Sequence, residues 1–232
     1  MTTHDGAWFQ DRLAEVRARI AAAAGRSGRT AADITLVAVT KYVGVEVARR
    51  LAAAGCRTLG ESRPQELWHK AEELADEALE WHLIGHLQRN KIARTLPLVR
   101  LIHSGDSLRL LQAIDAEAQR AGLGPVPMLV EVNVSGDAAK HGFQPAELEP
   151  LGAKLAELPR LAIGGLMGMA GRDGDLDAAR RDFANLRSLR DRLRAVWPDC
   201  VRLDALSMGM SGDFEVAIEE GATIVRLGSL LF

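Results

Sequence analysis

The sequence predicts an α/β protein in which eight parallel strands alternate with helices and close into a single (β/α)8 barrel, preceded by one extra helix. Three observations carry that reading. Short apolar runs rich in β-branched residues recur along the whole chain, and stretches with helical spacing follow them. The connections are short, with no linker or low-complexity segment, which calls for a parallel sheet covered by helices. No Gly-rich dinucleotide fingerprint follows the first strand, the signal an open doubly wound sheet would carry. Residues 1–232 are read as one domain, with helix 5–24 packed on the barrel.

The elements follow in order. Trp8, Phe9, Leu13, Val16 and Ile20 are spaced three and four apart, which predicts an amphipathic helix over 5–24. Strand one, 34–41, is a run of apolar and β-branched residues that stops at a charge, Lys41. A helix over 45–54 stops at Gly55. Strand two is 57–61. Pro64 sits where a first helical turn tolerates it, opening a helix over 64–79. Strand three is 81–85, and a short helix over 90–96 is stopped by Pro97. Strand four is 98–103, followed by helix 107–121; strand five is 127–134, followed by helix 145–158. Strand six is 161–167 and the long helix after it is 175–195. Its arginines, interleaved with Phe183, Leu186, Leu189 and Leu193, read as a solvated face. Strand seven is 201–206. A helix capped by Ser211 or Asp213 runs to Glu220, and strand eight is 222–226.

Composition excludes several classes. Apolar residues make up 47% and charged residues 26%, an ordinary soluble balance. A formal net charge of -2 with no basic run argues against a nucleic-acid partner. No apolar run approaches the ~20 residues of a membrane helix. Cys56 and Cys200, with no signal-peptide pattern at the amino terminus, predict free buried thiols in a reducing cytoplasm. With no strand edge or apolar tail unassigned, the expectation is a monomer.

In such a barrel the site lies at the carboxyl ends of the strands. A lysine ending a buried strand either snorkels to water or has its amine pushed by desolvation toward the neutral, nucleophilic form that captures an aldehyde. The loop of 207–213 and the loop of 226–229 both place glycine and serine between a strand end and a helix start, where free backbone N–H groups suit a phosphate. Those glycines also read simply as tight turns. Lys41 for an aldehyde and two loops for a phosphate together suggest pyridoxal 5′-phosphate (PLP). His82 and His86 lie four apart on a strand and loop, with no third ligand in sequence, so no metal site is predicted.

Several stretches, in order, carry a resemblance: 37–41 (VAVTK), 59–61 (LGE), 65–66 (QE), 81–91 (WHLIGHLQRNK), 165–167 (GLM), 206–211 (LSMGMS) and 225–229 (VRLGS). From strand one to the end, the sequence closely resembles the PLP homeostasis protein family, which is similar to the amino-terminal barrel of alanine racemase (fold type III) standing alone. The resemblance implies PLP held as an imine on Lys41. It implies phosphate contacts from Ser207, Gly228 and Ser229, with Ser211 as a further contact, and Arg226 toward the pyridine nitrogen. Ser62 and His82 complete the predicted cofactor contacts. Ser62 stands where the family commonly has asparagine after Gly-Glu, and relatives often continue past the position of Phe232 with a glycine and short tail, which leaves room for a trimmed terminus. The implied role is to hold PLP and supply it to PLP-dependent apoenzymes, in vitamin B6 homeostasis, with no catalytic residue assigned.

Two alternatives stay open. One is a PLP-dependent amino-acid racemase, which needs a second acid/base on the opposite face of the substrate; the one tyrosine, Tyr42, adjoins Lys41 on the wrong face, leaving His82 or His103. The other is a barrel lyase or isomerase that uses Lys41 on a sugar phosphate.

Overall fold

The computed structural model describes residues 6–137, 141–171, 174–199 and 201–232. Strands β1 (Thr35–Val39), β2 (Thr58–Glu61), β3 (Glu80–Leu83), β4 (Leu101–Gly105), β5 (Val126–Val132), β6 (Leu161–Gly168), β7 (Ala205–Ser207) and β8 (Ile224–Leu227) pair in sequence order and close into one barrel. Every pairing is parallel, and β8 returns to β1 with Val37 opposite Arg226. Helices α1 (Gly6–Arg26), α2 (Val45–Ala53), α3 (Pro64–Glu73), α4 (Ile92–Thr95), α5 (Leu108–Arg120), α6 (Leu148–Ala156), α7 (Leu176–Val196) and α8 (Phe214–Glu219) accompany the strands. The predicted fold class stands.

Two separate cores hold it together. The larger lies between sheet and helices and includes Leu51, Leu67, Leu111, Leu151, Phe183 and Ile218. The smaller fills the barrel itself with Val37, Leu129, Met167 and Ile224, against which Ile84, Leu101, Met169 and Ala205 pack. The barrel is therefore plugged, and only its ends are available to a ligand. Helix α1 buries Phe9, Leu13, Val16 and Ile20, each side chain contributing about 1.5–3 kcal/mol of transfer free energy. It docks on α8, where Arg19 pairs with Glu215 and Arg26 with Glu219.

The element boundaries differ from the expected ones for local reasons. Strand one stops at Val39, before the lysine. Helix α3 ends at Glu73, because the chain turns through Leu74 and Glu77 N bonds back to Leu74 O. Residues 96–98 form a 3-10 turn around Pro97, which delays β4 to Leu101. The helix expected from Pro145 opens as a 3-10 turn with Gln144 and Glu147 forming a capping box. Of the expected strand seven only Ala205 and Leu206 join the sheet, and the strand runs one residue further to Ser207, while Asp204 outside it takes Arg194 and Arg202. Cys56 is a buried free thiol, and Cys200 lies outside the described residues. Among the described residues no helix is long and apolar enough to cross a membrane.

Candidate functional site at the carboxyl mouth of the barrel

Side chains two residues apart on a strand share a face. That rule converts the apolar plug into a polar layer one step nearer the carboxyl ends. Leu101 is followed on the same face by His103, Leu129 by Glu131, Ala205 by Ser207 and Ile224 by Arg226. All four polar residues are buried, together with His82 on β3.

These groups form a hydrogen-bonded chain with a fixed direction. Arg226 Nη1 donates to Ser207 Oγ (2.5 Å) and to Ser207 O (2.8 Å), and Nη2 donates to Gly168 O (3.1 Å). A guanidinium only donates, so the Ser207 hydroxyl accepts from it and gives its own proton to His103 Nδ1, 2.8 Å away. His103 must then carry its proton on Nε2 and donate to His82 Nδ1, 3.0 Å away. Both imidazoles are neutral in this arrangement. Burial pushes His82 down to about 4, aided by Arg100, and pushes His103 well below the ordinary range, aided by His82 and Arg226. Burial also lowers Arg226 to about 10, against the pull of Glu131 and Asp213, and it stays charged at neutral pH. Burial, with Asp106 nearby, raises Glu131 to about 7, against the opposing influence of Arg226 and His86.

Lys41 is placed differently from the expectation. Val43 N bonds to Thr40 O at 3.1 Å, so the chain turns after β1 and carries Lys41 out of the sheet. Its side chain is exposed, with Nζ 4.9 Å from the centre of the Tyr42 ring, a cation–π contact rather than an apolar sleeve. The expected desolvation of the amine is corrected on this point: the strand ends at Val39 and the buried run at Thr40, so Lys41 lies outside both. Burial falls instead on the residue before. Lys70 Nζ, from the inner face of α3, donates to Thr40 O (2.7 Å) and to Glu61 Oε1 (2.5 Å), and Thr40 Oγ1 also donates to Glu61 Oε1 (2.6 Å). Lys70 and Glu61 are only 2% and 0% exposed, and Glu61 Oε2 is buried with no hydrogen-bond partner. An internal ion pair thus fixes the backbone from which Lys41 projects.

The loops after β7 and β8 come together. Gly228 N donates to Ser211 Oγ at 3.2 Å, and Gly228 lies beside Val39, so this amide is next to the root of the Lys41 turn. Ser229 is exposed. Met210 N is already taken by Asp213 Oδ1 at 2.6 Å. On the opposite rim, Ser62 is half-buried after β2, and a Cβ on Gly85 would lie 2.3 Å from Ser62 O. Gly85→Ala must therefore drive two backbone segments apart, and a loss of about 1–3 kcal/mol is expected in urea denaturation; an unchanged midpoint would contradict this packing. Beyond Gly85, His86 Nδ1 meets Asp106 Oδ2 at 2.5 Å and stacks on His141 with ring centres 5.1 Å apart.

Comparison with known proteins bears on this arrangement. The family model for the alanine racemase N-terminal domain matches residues 12–232. The pyridoxal phosphate homeostasis protein of Aquifex aeolicus is 43% identical over 222 residues, covering 96% of each chain. That of Pseudomonas aeruginosa is 41% identical, covering 96% of this chain and 94% of its own. The chain belongs to the pyridoxal phosphate homeostasis protein family. A solved structure in the same fold, PipY of Synechococcus elongatus with PLP bound, is 33% identical with a TM-score of 0.86, covering 97% of this chain and 99% of that one.

Seen as a member of this family, the chain places Arg226 on β8 and Lys41, Ser211 and Gly228 in the connections that follow the adjacent strands β1, β7 and β8. Ser207 and His82 lie deeper, committed to the buried chain below Arg226. His82 and His103, left open above as a second acid/base, are both buried, and burial lowers the pKa of each. Tyr42 is 82% exposed beside Lys41. Sequence reasoning missed Lys70, Glu131 and His141. The first two carried a signal, a charge on an apolar face; His141 carried none, since only the fold brings it to His86.

Proposed function

We propose that this chain binds PLP at the carboxyl mouth of the barrel and serves PLP homeostasis, holding the cofactor and supplying it to apoenzymes. The observation that carries the reading is that a lysine, a loop pair and a locked arginine all lie at the carboxyl ends of the adjacent strands β7, β8 and β1. The donor set fits the group. A phosphate needs N–H and O–H donors, which the Ser211 and Ser229 hydroxyls offer, with Gly228 N–H free to turn from Ser211 Oγ to the phosphate, and a basic ring nitrogen needs a donor, which Arg226 offers. When bound, PLP supplies an aldehyde that amines capture reversibly and a ring that draws electrons.

The residues of this chain then have distinct tasks. Lys41 offers the anchoring amine from a solvent-facing turn, where release and recapture are unhindered. The Lys70–Glu61 pair holds that turn still. Arg226 is oriented by Ser207 and Gly168 carbonyl groups and donates a hydrogen bond without giving up its proton, which keeps the ring a poor electron sink. Ser207, His103 and His82 support the arginine from below. Ser62 stands at the rim where it can reach a ligand in the mouth. Of the groups weighed as the second acid/base of a racemase, Tyr42 lies out in solvent and the two inner histidines are buried. The buried free thiol of Cys56 fits a reducing cytoplasm.

The test is spectroscopic and kinetic together. Purified protein with added PLP is expected to show a visible lysine-dependent absorption band that Lys41→Ala abolishes, and to interconvert D- and L-alanine no faster than free PLP. An identical band in the alanine variant would overturn the anchor, and turnover well above free PLP would overturn the carrier reading.

A further inference from the structure

The geometry points to a divalent-metal site formed by His86, Asp106 and His141 on the rim of the barrel mouth, with Zn²⁺ as the ion that matches the donors. Each residue offers one ligand atom, and the three atoms lie within 4.8 Å of one another. They come from three different connections, after β3, β4 and β5, which in the closed barrel is the rim across from β7, β8 and β1. Two imidazoles and one carboxylate form a donor set typical of zinc with three protein ligands and an open fourth position. His86 and His141 are exposed while Asp106 is buried, so the open position faces solvent at the mouth.

Asp106 is held by a second hydrogen bond, and the backbone beside each histidine is fixed by its neighbours. Asp106 uses Oδ2 toward His86, and its Oδ1 accepts from Ser107 Oγ at 3.1 Å. His86 follows Gly85, whose carbonyl accepts from Ser104 Oγ at 2.7 Å and whose missing Cβ lets the loop lie against Ser62. His141 precedes Gly142, which has φ +104° and no room for a Cβ beside Glu131 O. The chain is then tied to the end of β5 by Phe143 N to Glu131 O (2.9 Å) and Asn133 N to Phe143 O (3.0 Å).

A simple His86–Asp106 ion pair explains two of the three groups. It does not account for the second imidazole, stacked at 17° on the first with its own ring nitrogen within reach of the same point. A shared cation accounts for all three groups, each giving it one ligand atom. The site uses none of the residues assigned to PLP, so it stands or falls separately from the reading above.

Tag-free full-length protein is titrated with Zn²⁺ against a chromophoric chelator, and with Co²⁺ read by its visible ligand-field bands. The expected result is one ion per chain, with affinity reduced about tenfold or more in each of His86→Ala, Asp106→Asn and His141→Ala. Cys56→Ser/Cys200→Ser is expected to bind as the native chain does. The PLP absorption band, recorded on the same samples, reports folding and is expected to persist in all three ligand variants. Absence of binding, or binding that is equal in the native chain and in His86→Ala and His141→Ala, would overturn the site. His86 and His141 are exposed, so their variants remain informative even where Asp106→Asn does not fold.

Discussion

Lys70→Met is expected to lower folding stability by about 3–5 kcal/mol. The substitution keeps the volume and the apolar stem of Lys70, so lost packing is small. What it removes is the cation that faces Glu61 and the donor to Thr40 O. Glu61 is completely buried, and one of its oxygens already lacks a partner. Without Lys70 its carboxylate keeps only the Thr40 hydroxyl, and an uncompensated buried charge is the costly case. The companion Lys70→Met/Glu61→Leu removes both charges and is expected to recover most of the loss. Urea denaturation of the two variants checks this. A single variant within about 1 kcal/mol of the native chain would show that water reaches Glu61.

Glu131→Gln is expected to change how stability depends on pH. Burial holds Glu131 at about 7 against an ordinary value of 4.5, so the native state keeps a proton that the unfolded chain releases. Stability from this residue is fully present below 4.5 and is lost as pH rises through about 7. The loss by pH 8 is about 3 kcal/mol at 1.4 kcal/mol per unit, an upper figure because Glu131 retains some solvent contact. His82 works in the opposite sense. Its pKa is depressed from 6.5 to about 4, so its contribution is present above 6.5 and is lost as pH falls toward 4. The two slopes oppose each other between 4.5 and 6.5. Glutamine at 131 is therefore expected to raise stability at pH 8 and to expose a decline toward acid that the native chain masks. Denaturation midpoints at pH 5, 6, 7 and 8 decide it; parallel profiles for the two chains would contradict the assignment.

Much of the architecture is legible because its physics is local. Strand and helix periods, Gly55 as a helix stop, and Pro64 at a helix start all depend on neighbours in sequence. Boundaries were displaced where the competing force was also local but weak, as at Pro97, or where sheet pairing decided, as in the three-residue β7. The site was legible along strand ends and less so in depth. Lys70 lies in register with Pro64, Leu67 and Leu74, a lysine on an apolar stripe, and Glu131 interrupts an otherwise apolar strand. Each was readable as a buried charge, but its partner was not: strand pairing and the packing of α3 bring Thr40 and Glu61 to Lys70, and barrel closure brings Arg226 toward Glu131. The exposure of Lys41 depends on a turn whose hydrogen bond, Val43 N to Thr40 O, no periodicity announces.

The central claim is that the carboxyl mouth of this barrel anchors PLP through Lys41. It is tested most directly by loading the native chain with PLP, reducing the covalent link with borohydride and mapping the modified peptide by mass spectrometry. The predicted result is one phosphopyridoxyl group per chain, on Lys41, with none on the buried Lys70. A label on any other lysine, or no label on a chain that still binds PLP, would contradict it.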